Sequence, residues 1–177
     1  MIKLIEHNGN IDLKAPIVYK DPVKPYIDTS LITDWRYFFQ NDYRASTWDF
    51  ENTDFSGGEN FYYCFSSFGG NDAAVRGKDI YINAPKATIY SYAFRMSHFN
   101  KVTLDAESAL EIVQTFNGSL IKEVEFIKPP KKCTTFANCF QNCKKLTSIK
   151  GLDFSGVTAA YGITNTFASC PELVDCV

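Results

Sequence analysis

The sequence contains no apolar run approaching the roughly 18 residues that a membrane-spanning helix needs, so no membrane insertion is expected. Its first residues, Met1-Ile2-Lys3-Leu4-Ile5-Glu6-His7, lack the apolar core and small-residue cleavage site of a secretory signal. The expectation is a chain that stays inside the cell that makes it, or leaves by another route. An excess of one charge is missing too. The 18 basic residues face 20 acidic ones, a net charge of −2, which is not the footprint of a nucleic-acid binder. Lys131-Lys132 and Lys144-Lys145 are too short to track a phosphate backbone and are read as solvated turn positions. There are only two histidines, His7 and His98, and none of the six cysteines forms a Cys-x-x-Cys pair, so no zinc site is expected. Gly-rich phosphate loops and helical metalloprotease motifs are absent as well.

What the sequence has in quantity is aromatic side chains: 15% of 177 residues, with 15 Phe and 10 Tyr. These rings recur at a regular interval. Asp54-Phe55-Ser56-Gly57 returns as Asp153-Phe154-Ser155-Gly156, with a looser copy at Asp28-Thr29-Ser30. Eleven residues after Asp28 and after Asp54 stand Phe39 and Phe65, and the series continues as Phe94, Phe116, Phe140 and Phe167, spaced 26, 29, 22, 24 and 27 residues apart. Four residues before each of these anchors lies Trp35, Phe61, Tyr90, Ile112, Phe136 or Ile163, all apolar or aromatic. Three residues after them come Asp42, Phe68, Ser97, Ser119, Cys143 and Cys170, mostly small.

Beyond each small residue lies a short segment, usually alternating apolar and polar: residues 47–50, 79–82, 101–104, 123–126, 146–149 and 172–175. That period of two predicts half-buried strands. Each unit is then a strand, a polar turn, a short helical or irregular turn with apolar residues at i and i+4, and a small-residue corner. One unit of about 25 residues cannot bury its apolar face alone, but stacked copies pair their strands in a parallel ladder and pile the anchors into a column. The expected fold class is therefore an α/β-type repeat solenoid, an irregular right-handed coil with a parallel β-sheet, over residues 28–177.

The phrase Asp-x-Ser, apolar-x-x-x-Phe, x-x-Cys and Leu-x-x-Ile resembles the BspA-like leucine-rich repeats of bacterial surface proteins and of some phage and protist proteins. The fullest copy runs from Phe136 through Phe140 and Cys143 to Leu146 and Ile149, followed by Phe167, Cys170 and Leu173. The resemblance implies a leucine-rich-repeat-like, non-catalytic module for adhesion or recognition that binds another protein or a cell-surface ligand. With no export signal in view, it also implies the variant of a structural virion or tail-associated phage subunit, assembled in the cytoplasm. It supplies no catalytic residues, metal ligands or cofactor.

Residues 1–27 do not carry the repeat. Asn8-Gly9 between two alternating runs predicts an N-terminal β-hairpin, and Pro16, Pro22 and Pro25 suit an extended connector; together they form a cap or docking element. That hairpin, or an uncovered last repeat ending at Cys176-Val177, offers a route to an oligomer or larger assembly. The cysteines are expected as small buried groups, with Cys143 above Cys170 at one corner. Asp28, Asp54, Asp105 and Asp153 suit either a calcium-binding ladder or, as favoured here, turns in which each carboxylate caps nearby N–H groups. His98 is expected at an exposed corner rather than as a catalytic base. Candidate recognition residues are Asp49, Tyr81, Thr103, Glu125 and Ser148 on the outer strand face, the Tyr62-Tyr63 pair, and the insertion Gly69-Gly70-Asn71-Asp72-Ala73-Ala74.

Overall fold

A computed structural model of the chain describes residues 6–7, 10–11, 29–42, 50, 53–70 and 77–177. The first described residues form a two-stranded antiparallel pair, β1 (Glu6–His7) with β2 (Asn10–Ile11). The rest is a parallel β-solenoid. Its sheet holds β3 (Asp79–Ile82), β4 (Lys101–Asp105), β5 (Glu123–Lys128), β6 (Ser148–Lys150) and β7 (Asp175–Cys176) in chain order, every neighbouring pair parallel.

Alternation decides which side of each strand goes inside. Ile80 and Ile82, Val102 and Leu104, Val124 and Phe126, and Ile149 are buried, whereas Tyr81, Thr103 and Glu125 between them point outward. The last two strands begin later than the alternation predicted. Leu146 and Leu173 close turns onto the carbonyls of Cys143 and Cys170. Leu-x-x-Ile therefore places its Leu in the corner and its Ile in the strand. The expected strand at 47–50 lies outside the described residues except for Phe50.

The anchors form one column. Phe39, Phe65, Phe94, Phe116, Phe140 and Phe167 stack in sequence with centroid separations of 4.9, 5.1, 5.4, 5.2 and 5.7 Å and interplanar angles of 2–11°. Beside it, Trp35, Phe61 and Tyr90 stack at 6.2 and 5.4 Å, and the column continues with the buried Ile112 and Phe136. Tyr90 is wholly buried, and its hydroxyl donates to the Asp105 carbonyl at 2.8 Å. Tyr90→Phe strands that carbonyl, and the expected cost is about 1–2 kcal/mol, readable from the urea midpoint.

No α-helix occurs among the described residues. The segment around each anchor is instead a ribbon of consecutive tight turns. Residues one before, one after and three after Phe39, namely Phe38, Gln40 and Asp42, donate their N–H to the carbonyl three residues back, as do Cys64, Ser66 and Phe68 around Phe65. The alternate residues donate across to the next coil: Trp35 to Asn60, Tyr37 to Tyr62, Phe39 to Cys64 and Asn41 to Ser66, at 2.8–3.1 Å. The same four rungs recur between each later pair of coils as far as Phe136, Asn138, Phe140 and Asn142 donating to Gly162, Thr164, Thr166 and Ala168. Half of the ribbon's N–H groups are thus satisfied within the coil and half by the neighbour, the accounting that a buried backbone demands. Apolar spacing at i and i+4 is shared by a helical turn and by this ribbon, so periodicity does not separate them.

The ribbon has a conformational cost. The residues two before and two after every anchor have left-handed φ: Tyr37 and Asn41, Tyr63 and Ser67, Tyr92 and Met96, Gln114 and Gly118, Asn138 and Asn142, Asn165 and Ser169. Gly and Asn bear this conformation most cheaply, and several of these positions carry them.

Candidate functional site

Three of the four left-handed tyrosines lie together on the solvent side of the first three described coils; the fourth, Tyr161, stands apart and exposed in the last coil. Tyr37, Tyr63 and Tyr92 occupy the same place, two residues before successive anchors, with φ of 60°, 56° and 61°. Their rings stack at 5.7 and 4.6 Å, and Tyr62 meets all three edge-on at 4.7–5.7 Å. Tyr37 is exposed and the other three are half-buried. Crowding by these neighbours raises the Tyr62 hydroxyl above the usual phenol range, through desolvation first and then the proximity of Tyr63, Tyr37 and Tyr92.

A charged pair flanks the patch. Arg36 stands where Tyr62 stands in the next coil, and its guanidinium grips both carboxylate oxygens of Asp34 at 2.6–2.9 Å. This bond holds the Asp34 carboxyl below the usual carboxylate range. Asp34 Oδ1 also accepts the Arg36 N–H, and Asn60 Oδ1 accepts the Tyr62 N–H, at 3.1 and 3.0 Å. The patch is thus fixed by side-chain-capped turns at its edge and by the inter-coil ladder beneath it.

The predicted strand-face residues form a second surface on the sheet segment of each coil. Tyr81, Thr103 and Glu125 lie side by side in one row, which Lys150 continues. Ser148 belongs to the adjacent row, with Asp79, Lys101, Glu123 and Asp175, because it pairs with Glu123. Glu125 is bound by Lys101 Nζ at 2.6 Å, which lowers its carboxyl's affinity for a proton. This surface is a mixed-charge lattice, with Tyr81 as its half-exposed ring. Asp49 and residues 71–74 of the insertion lie outside the described residues. Sequence reasoning found Tyr62 and Tyr63 but missed Tyr37, Tyr92 and Arg36. The signal was present, since tyrosine recurs two residues before three successive anchors.

The recurring aspartates are turn formers. Asp54, Asp105 and Asp153 each accept the N–H two residues on, at 2.8, 3.2 and 2.8 Å, and the Ser155 side chain, followed by its N–H, holds the Asp153 carboxyl below the usual carboxylate range. Asp28 lies outside the described residues. Among the described residues, no three His, Cys, Asp or Glu side chains come together in a metal-holding group, and no helix is long and apolar enough to cross a membrane. His98 is half-buried rather than exposed, and its main-chain N–H donates to the Phe68 carbonyl at 3.2 Å. Burial raises the Cys64 and Cys139 thiols well above their ordinary range, the opposite of what a nucleophile needs.

Fold and surface together define a parallel β-solenoid with an aromatic patch on its turn ribbon. No family model matches the chain, and neither a curated protein nor a solved structure matches it.

Proposed function

We propose that this solenoid is a non-catalytic recognition module that binds a protein or a cell-surface ligand through the tyrosine patch Tyr37, Tyr62, Tyr63 and Tyr92. The observation that carries this reading is the conformational expense of the patch. A left-handed bulky residue costs about 1–2 kcal/mol. Later coils avoid much of that cost with Asn138 and Asn165 at the same position. Ring stacking returns about 0.5–1.5 kcal/mol per pair, so the tyrosines gain the fold little over asparagine. Strain of this kind collects at ligand sites, and rigid, amphipathic tyrosine is favoured at binding hot spots. The outer sheet face with Tyr81, Thr103, Glu125 and Ser148 supplies a polar surface for secondary contacts. An irregular leucine-rich-repeat-like unit of right-handed coil, of the BspA type, agrees with the repeat phrase and with a function in adhesion.

The test uses the chain's own alternative. Tyr37→Asn, Tyr63→Asn and Tyr92→Asn are combined, and both proteins are applied to a glycan array and to a random-peptide display library. The expected result is a ligand class retained by the native chain and weakened at least about tenfold in the triple variant, a loss on the order of 1.4 kcal/mol. Thermal melting of the variant is expected to stay within a few degrees of the native chain. Ligands held equally by both proteins would remove the patch from the reading.

A structural role in a larger assembly, such as a phage particle, draws support from one separate observation. Ile163, Asn165, Phe167 and Ser169 occupy the ladder-donor positions of the last described coil, and their N–H groups have no acceptor among the described residues. Ile163 is largely exposed beside them, so a further coil or another subunit would find four aligned donors and an apolar neighbour. A concentration-dependent mass in analytical ultracentrifugation supports assembly; a monomer across the accessible range supports the free binder.

A further inference from the structure

Of the six thiols, two stand at the same corner of adjacent coils. Cys143 and Cys170 each lie three residues after an anchor, in a column that runs through Ser97 and Ser119. The Asn142 N–H donates to the Ala168 carbonyl at 2.8 Å, so the coils are in register immediately before the pair. Neighbouring backbones in such a ladder are about 4.8 Å apart. A disulfide spans Cα separations of about 4.4–6.8 Å, and needs the Cβ atoms near 4 Å. The Sγ atoms are already turned to the same side, Cys143 donating to the Phe116 carbonyl at 2.9 Å and Cys170 to the Phe140 carbonyl at 2.8 Å.

We propose that Cys143 and Cys170 are an oxidation site at which hydrogen peroxide joins the two stacked thiols into a disulfide that ties the last described coil to the one before it. Burial divides the roles. Cys170 is partly open to solvent and Cys143 is enclosed. When Cys170 loses its proton, the Cys143 thiol is the donor within reach, which pulls the Cys170 pKa down to about 7 and pushes that of Cys143 up. The Cys170 thiolate attacks one peroxide oxygen; the S–O bond forms, the O–O bond breaks and hydroxide leaves, taking a proton to become water. Cys143 sulfur then attacks the sulfenic sulfur of Cys170; the S–S bond forms, the S–O bond breaks, and the departing hydroxyl leaves as water with the Cys143 proton. Two thiols lose two electrons and one peroxide becomes two waters. The remaining thiols are poor competitors. Cys64 and Cys139 are enclosed and held protonated by burial, Cys133 is pushed up to about 11, and exposed Cys176 is raised by desolvation and by Asp175.

The reduced protein is treated with hydrogen peroxide at pH 7.5, alkylated, and cut with trypsin and chymotrypsin. Cleavage after Phe140 and Leu173 separates Cys143 from Cys133 and Cys139, and Cys170 from Cys176. The expected product is a monomer lighter by two hydrogens, with the Cys143 and Cys170 peptides linked. Proteolysis within residues 151–177 is expected to slow about tenfold, because the crosslink restrains the opened loop. In Cys143→Ser, a replacement already used in this column at Ser97 and Ser119, Cys170 is expected to stop at the sulfenic acid and react with dimedone. The alkylation rate of Cys170 in the native chain is expected to rise through pH 7, and that inflection to move in Cys143→Ser. Linkage of Cys170 to Cys176 or to a second molecule overturns the proposal, as does oxidation of Cys176 ahead of Cys170.

Discussion

Phe94→Ala is expected to destabilise the chain by about 3–5 kcal/mol, a large part of the roughly 5–15 kcal/mol that holds a small domain folded. Phe94 is wholly enclosed between Phe65 and Phe116, and its edge also meets Phe99 at 5.8 Å. Truncation therefore loses three ring contacts and opens a cavity that the ladder on either side prevents from closing. A solenoid is held by contacts between successive coils, so damage in the middle should uncouple the two ends. The expected urea curve has a lower midpoint and a second, separable transition, seen when circular dichroism is compared with near-ultraviolet absorbance. Phe154→Ala is the reference. That ring is 37% exposed, rests edge-on against Phe136 and Phe167, and should cost about 1 kcal/mol. Equal costs at the two sites would mean that the column is not what holds the coils together.

The column and the sheet were legible because they depend on position alone. Anchor spacing identified all six stacked rings, and alternation within Ile80 to Ile82 or Val102 to Leu104 told inside from outside. The ribbon was not legible, because its signature is a sign of φ rather than a pattern of hydrophobicity. Asn138, Asn142, Asn165 and Gly118 carry that signature, but Tyr37, Tyr63 and Tyr92 hide it, since aromatic side chains seldom take that conformation. The recognition patch was half legible for the same reason. Tyr62 and Tyr63 stood out as a pair, whereas Tyr37 and Tyr92 join them only once the coils are stacked. Ser148 was legible as a strand-face residue, but its place in the row of Glu123 rather than Glu125 was not, because alternation does not say how far a strand slides against its neighbour.

Gly151→Ala is expected to cost about 3 kcal/mol or more, because two penalties fall on one residue. Gly151 has a φ of 70°, and a Cβ added there would lie 2.1 Å from the Phe126 carbonyl oxygen of the preceding coil. Neither atom can step aside, since both belong to backbone fixed by the ladder: the Gly151 N–H is itself bonded to the Val177 carbonyl. Three other glycines show the penalties singly. Gly156, the last residue of the Asp-Phe-Ser-Gly phrase, has ordinary φ but would place its Cβ 2.2 Å from the Lys131 carbonyl oxygen. Gly57, its counterpart in the earlier copy, would meet Ser30 in the same way at 2.0 Å. This explains why the phrase ends in glycine: its last residue is where one coil's backbone touches the next. Gly77 has a φ of 94° with nothing within 4 Å. Alanine there should cost about 1–2 kcal/mol through backbone conformation alone. The expected order of destabilisation in urea is therefore Gly151→Ala, then Gly156→Ala, then Gly77→Ala. If Gly156→Ala instead stabilises the chain by the 0.4–1 kcal/mol typical of an unstrained Gly-to-Ala change, the coils do not approach there as closely as the stacking requires.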